Sequence, residues 1–159
     1  MKIHRQFTIA GQDPLEQVQY ERRSSVIKNP DGQIVKEIRE VEVPVTWTQV
    51  ATDIIAQKYF RKAGAPLTDA AGHPIIGPDG QPKLGSETSA KQVIRRLAGT
   101  WRFWGEKYGY FATPEDAQAF QDEMECMLIR QMGAPNSPQW FNTGLHWAYG
   151  ITGSPQGHY

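Results

Sequence analysis

Cysteine is nearly missing. The 159 residues contain one, Cys126, which excludes an internal disulfide and a thiolate metal site made by this chain alone. Stability must come from packing. An excess of charge of either sign is missing too: seventeen Lys and Arg balance seventeen Asp and Glu, so phosphate backbones meet no general attraction and a nucleic-acid partner is argued against. No run approaches the ~18 apolar residues of a membrane span, and Met1-Lys2-Ile3-His4-Arg5-Gln6-Phe7 lacks the apolar stretch of a secretory signal. A cytoplasmic protein without a membrane partner is expected. The four histidines, His4, His73, His146 and His158, form no i,i+3 or i,i+4 pair on a predicted helix, so no metal is expected. Gly77-Pro78-Asp79-Gly80 lacks the Lys-Ser/Thr ending of a phosphate loop.

What the sequence does contain is a mainly α pattern with one β-hairpin. Residues 1–23 are weakly periodic and read as an arm that packs on something else. Asn29-Pro30-Asp31-Gly32 is a turn, since Pro presets φ and Gly accepts positive φ, and it predicts a hairpin over about residues 25–43. Ile34, Ile38, Val41 and Val43 suggest a half-buried ribbon. Thr46 and Gln49 have capping-box spacing, and Trp47, Val50, Ile54 and Ile55 recur at helical spacing, which predicts a helix over about 47–62. Residues 65–86, rich in Pro and Gly, read as a long loop insertion with at most a short hairpin around Pro78-Asp79-Gly80.

Two further amphipathic helices follow. Ser86-Glu87-Thr88 offers caps and an acid for the first, whose stripe is Val93, Leu97, Trp101, Trp104 and Tyr108, with Gly109 as its stop. Its cations, including Lys91, Arg95, Arg96 and Arg102, read as a solvated face rather than a nucleic-acid surface. Thr113-Pro114-Glu115-Asp116 combines a hydroxyl cap, Pro at the first helical position and acids in the first turn. Ala117, Phe120, Met124, Met127 and Leu128 continue that stripe until Gly133 and Pro135. Cys126 lies there as a small hydrophobe.

From Gly133 periodicity disappears, although Trp140, Phe141, Trp147 and Tyr149 remain. The expectation is an irregular aromatic tail whose rings need a surface from elsewhere. The chain stops at Gly157-His158-Tyr159 without a terminal cap, which reads as a cut end. Within the tail, Ala134-Pro135-Asn136-Ser137-Pro138-Gln139-Trp140-Phe141-Asn142-Thr143-Gly144 sets polar side chains among rigid ones. Composition allows two readings of it: a polar strand fixed to contact a ligand, or a loop whose Asn and Ser bond their own backbone.

At these residues the chain resembles a known family. Arg96-Leu97-Ala98-Gly99-Thr100-Trp101-Arg102, Trp104-Gly105-Glu106-Lys107-Tyr108-Gly109-Tyr110-Phe111, Thr113-Pro114-Glu115-Asp116-Ala117 and the run from Ala134 through Ile151 resemble the N-terminal region of adenosylcobalamin-dependent (class II) ribonucleotide reductase. Asn29-Pro30-Asp31-Gly32, Val41-Glu42-Val43-Pro44 and Lys58-Tyr59-Phe60-Arg61 are similar to it as well. The resemblance implies an enzyme that reduces a ribonucleotide, expected as the diphosphate, to its deoxy form. Homolysis of the cobalt–carbon bond yields a cysteine thiyl radical that abstracts the 3′-hydrogen, and two further cysteines supply electrons as the 2′-hydroxyl leaves. It also implies a thioredoxin-type reductant, a nucleotide allosteric effector and a homodimer.

The reacting cysteines, an active-site acid and a C-terminal cysteine pair of that family would lie beyond residue 159, and Cys126 matches none of them. The fragment alone is therefore expected to be inactive. Residues 1–133 would be a helical cap on an α/β barrel, and 134–159 the start of the catalytic barrel region. By resemblance Ser137 falls where the family places a hydroxyl residue that contacts the substrate, with Asn136 and Asn142 as neighbours that hold the strand in register. No residue is assigned to cobalamin. The competing expectation is a freestanding helical binding or regulatory module.

Overall fold

The turn Asn29-Pro30-Asp31-Gly32 closes as its residues predict. Asn29 N–H donates to the Gln33 carbonyl at 2.8 Å and Gly32 N–H to the Asn29 carbonyl at 2.9 Å, with Gly32 at φ +87°. In the computed structural model, which describes residues 1–69 and 73–155, it joins β1 (Tyr20–Lys28) to β2 (Ile34–Pro44) in an antiparallel hairpin. The ribbon begins at Tyr20 rather than Ser25, because Tyr20 through Arg23 pair with Pro44 through Val41. Only its base enters the core: Ser25, Val41 and Val43 are wholly buried, while Ile27, Ile34 and Val35 near the tip are exposed.

Thr48, not Thr46, caps α1 (Gln49–Ile54), its hydroxyl accepting from Ala51 N–H at 3.1 Å. The cap moves because Trp47 is drawn inward. Its N–H closes a turn on the Pro44 carbonyl at 3.0 Å, and its indole N–H donates to the Ile129 carbonyl at 2.9 Å. The expected helix over 47–62 also ends early. Residues Ile55–Tyr59 widen into a π turn, with Phe60 N–H donating to the Ile55 carbonyl at 2.9 Å. This widening turns the buried face, so Ile55, Ala56 and Phe60 are core whereas Val50 and Ile54 are exposed.

The described part of the insertion at 65–86 is paired rather than a plain loop. Strands β3 (Ala65–Pro66) and β4 (Leu84–Gly85) pair antiparallel, and Leu67, Ile75 and Lys83 link further through backbone bonds of 2.8 Å. The turn at Gly77–Gln81 is the short hairpin foreseen there. Residues 70–72, and 156–159 with His158, lie outside the described part.

Helix α2 (Ala90–Lys107) starts later than Ser86: Ser89 caps it and Gln92 returns the bond to the cap backbone. Val93 and Leu97 are buried as expected, but Trp104 and Tyr108 at its far end are exposed. Arg96, expected in solvent, is buried. Helix α3 (Pro114–Ile129) has the cap and first turn its sequence specifies, and Asp116 completes a capping box with Thr113. It ends at Arg130 with Gln131 at φ +55°, short of Gly133. Leu15, Val41, Val43, Trp47, Ile55, Phe60, Val93, Ile94, Leu97, Ile129 and Trp140 form a continuous core between hairpin and helices. The N-terminal arm finds its surface on α3, where Ile3 N–H donates to Asp116 and Arg5 pairs with Asp122 at 2.7 Å.

The described part of the tail is partly helical rather than irregular throughout. Ser137–Asn142 form α4 and Leu145–Tyr149 form α5, and Trp140, Phe141 and Leu145 bury themselves against this same chain. Trp147 is still 43% exposed. Among the described residues no helix is long and apolar enough to cross a membrane.

Candidate functional site

Pro138 lies in the first turn of α4, where its missing N–H costs nothing, and Gln139 N–H donates to the Asn136 carbonyl at 3.0 Å. Asn136 is the exposed residue before the helix, and its side chain makes no capping bond. At the other end Thr143 N–H donates to the Gln139 carbonyl at 3.0 Å, and Gly144 turns the chain at φ +84°. Only glycine fits there. A Cβ would stand 2.4 Å from the Arg96 carbonyl oxygen and 2.5 Å from Thr100 Oγ1. Gly99 plays the same part for α5, since a Cβ on it would meet the Trp147 ring at 2.3 Å. Two bare backbone positions thus let the tail lie directly on α2.

A buried ion pair fixes it there. Arg96 Nε donates to Glu87 Oε1 at 2.8 Å and Nη2 to Oε2 at 3.1 Å, with both side chains essentially without solvent exposure. The remaining guanidinium donors reach the last carbonyls of α4, at Thr143 (2.5 Å) and Trp140 (2.9 Å). Tyr149 of α5 donates to Glu87 Oε1 at 2.7 Å, and Arg61 N–H to Oε2 at 2.7 Å. Burial, and then the Glu87 carboxylate, push the Tyr149 phenol well above its ordinary pKa, so it remains a donor at any physiological pH. The guanidinium thus meets both carboxylate oxygens and two helix-end carbonyls, which is what a buried cation requires.

At the start of α4, Ser137 Oγ lies 3.0 Å from Tyr59 Oη. The Tyr59 ring stacks on Trp140, with centroids 5.5 Å apart and planes 8° from parallel, and tilts against Phe141. Trp140 in turn donates its indole N–H to the Pro135 carbonyl at 2.9 Å. The structure therefore separates the three predicted residues. Ser137 lies beside Tyr59 with Asn136 preceding it in the chain, whereas Asn142 is at the opposite end of α4, roughly 7 Å further along the helix axis. There, half-buried Asn142 borders a groove of about 750 Å³ walled by Phe103, Trp104, Lys107 and Trp147, with His146 at its rim. Phe103, Trp104 and Trp147 are all more than 40% exposed, at 42%, 46% and 43%.

A class II vitamin B12-dependent ribonucleotide reductase family model matches residues 21–131. The chain belongs to that family. It is 51% identical to the vitamin B12-dependent ribonucleotide reductase of Bradyrhizobium diazoefficiens and 48% identical to that of Agrobacterium fabrum, in each case over 100% of this chain and 14% of the relative. The same-named protein of Streptomyces clavuligerus is 39% identical over 91% of the chain and 13% of its own length. The chain thus spans about one-seventh of the two reductases most fully matched here, at 14% of their length.

Among the described residues no group of three or more His, Cys, Asp or Glu side chains converges to hold a metal ion. Cys126 is buried in α3, in the hydrophobic role its sequence context suggests. Tyr59, Glu87 and Arg96 are the residues that sequence reasoning missed as parts of this site. Tyr59 was visible only within a family-like run, and the pairing of Glu87 with Arg96 depends on where α2 begins.

Proposed function

We propose that this chain is the N-terminal cap of a cytoplasmic ribonucleotide reductase, which makes deoxyribonucleotides for DNA synthesis, and that Ser137 contacts its substrate. What supports the reading is the way α4 is held. A short helix bearing a hydroxyl at one end is locked by a buried Arg–Glu pair at the other, and its side chains are set by ring stacking. A serine hydroxyl can donate to and accept from the oxygens of a ribose or phosphate. Asn136 and Asn142 are the flanking residues of that site, the first beside Ser137 and the second facing the aromatic groove.

The catalytic barrel begins with residues 134–159 and continues, with the reacting cysteines, in the polypeptide that follows them in the whole enzyme. Adenosylcobalamin supplies the radical chemistry of the full enzyme; this chain positions and encloses. A thioredoxin-type reductant, a nucleotide effector and a second copy of the enzyme are partners of the whole protein. The open aromatic groove is where the remaining polypeptide rests, because a contiguous apolar patch of this kind marks an interaction surface. In the full-length enzyme, Ser137→Ala is expected to raise KM about three- to tenfold, the size of one lost hydrogen bond, with an unchanged melting temperature. Unaltered kcat/KM would remove Ser137 from the site.

A further inference from the structure

Tyr59 is the last residue of the π turn that ends the first helix, and its hydroxyl lies 3.0 Å from Ser137 Oγ. In a regular α-helix each residue advances about 100°, so the extra residue in the Ile55–Tyr59 turn takes the phenol off the face a regular helix would give it. Such π turns cost helix geometry and are frequent where a side chain has a task. Once there, the ring has little freedom, since it lies flat on Trp140 and against Phe141. Trp140 is anchored through its indole to Pro135 and through its carbonyl to Arg96. The 3.0 Å contact between the two hydroxyls is thus fixed from both sides.

We infer that Tyr59 is a positioning residue of the nucleotide site: its O–H donates to Ser137 Oγ and leaves the serine proton to point outward, at an acceptor oxygen of a bound ribonucleotide. A phenol is the better donor of the two, with an ordinary pKa near 10, and an aliphatic hydroxyl that has accepted one bond still has its own proton to give. The pair therefore acts as a two-member relay of hydrogen-bond direction, without proton transfer. Oxygens of the ribose and of the phosphates are equally suitable acceptors by this chemistry. The inference rests on the reading of Ser137 given above.

The test uses the full-length reductase and equilibrium binding of the four ribonucleoside diphosphates, together with steady-state kinetics. Tyr59→Phe keeps the ring that stacks on Trp140 and removes only the hydroxyl. It is expected to weaken binding about three- to tenfold and to raise KM by a similar factor, with kcat within about twofold and an unchanged melting temperature. Added to Ser137→Ala it should do nothing more, because the two act through one hydroxyl. Competition by inorganic pyrophosphate distinguishes the acceptors. If Tyr59→Phe weakens it equally, the acceptor is a phosphate oxygen; if competition is unchanged, the acceptor is on the ribose. A Tyr59→Phe enzyme that folds and binds nucleotide normally, while Ser137→Ala does not, overturns the role of Tyr59 and leaves that of Ser137 standing. If Ser137→Ala also binds normally, the underlying reading fails. A Tyr59→Phe enzyme that cannot fold overturns the inference too, since the hydroxyl would then be a structural bond.

Discussion

Arg96 ties α2 to Glu87 and to the end of α4, a role its place among the helix cations does not announce. Cations at Lys91, Arg95, Arg96 and Arg102 have the spacing of a wet helix face, and three of these four keep some exposure. Arg96 instead lies between Glu87 and the carbonyls that end α4. A buried charge is tolerable only while its partner is present, and removing one member typically costs about 3–5 kcal/mol. Arg96→Met should therefore destabilise the protein by about that amount in denaturant unfolding. Glu87→Gln added to Arg96→Met should recover part of the loss, because it removes the stranded carboxylate. Strict additivity of the two losses would show that the pair does not act as a unit.

Helix α3 and the turn of the β1–β2 hairpin are the elements the sequence specified best, because their signals are local. Thr113-Pro114-Glu115-Asp116 needs no tertiary partner to start a helix, and Asn29-Pro30-Asp31-Gly32 none to make a turn. Where long-range burial competes with such signals, the sequence reading slips. Trp47 moves a cap by entering the core, the π turn after Ile54 rotates the buried face, and α4 and α5 gain order from α2 rather than from their own periodicity. For the same reason Ser137 could be marked only by resemblance, and Tyr59 not at all as its partner.

The arm also titrates. Bonds from Ile3 N–H, and then from Thr113, hold the Asp116 carboxyl below its ordinary range. Partial burial pushes Glu123 upward, but donation from Thr8 Oγ1 and from the Phe7, Gln6 and Thr8 amides outweighs it and leaves Glu123 lowered. Groups lowered on folding stabilise above their unfolded pKa and lose that contribution as pH falls through the folded value. The arm should therefore hold at neutral pH and release as pH falls below the ordinary carboxylate range. Amide exchange at Ile3 and Thr8 would record this, and protection persisting to pH 2 would contradict it. Glu125 works in the opposite sense. Burial raises its carboxyl despite Arg95, so its contribution is present at low pH and fades as pH rises through the folded value.

Taken whole, the described residues have a closed core and an aromatic surface left open. The hairpin, α2 and α3 enclose apolar residues completely, whereas Phe103, Trp104, Tyr108, Tyr110 and Trp147 leave their rings in the open around the end of α2 and α5. That asymmetry, with α4 fixed beside it, is what a segment completing a larger enzyme needs. The most direct measurement is the structure of the full-length reductase with a ribonucleotide bound. Ser137 Oγ is expected within about 3.2 Å of a nucleotide oxygen, with Phe103, Trp104 and Trp147 covered by the following polypeptide. A nucleotide bound far from Ser137, with those rings still in solvent, would contradict it.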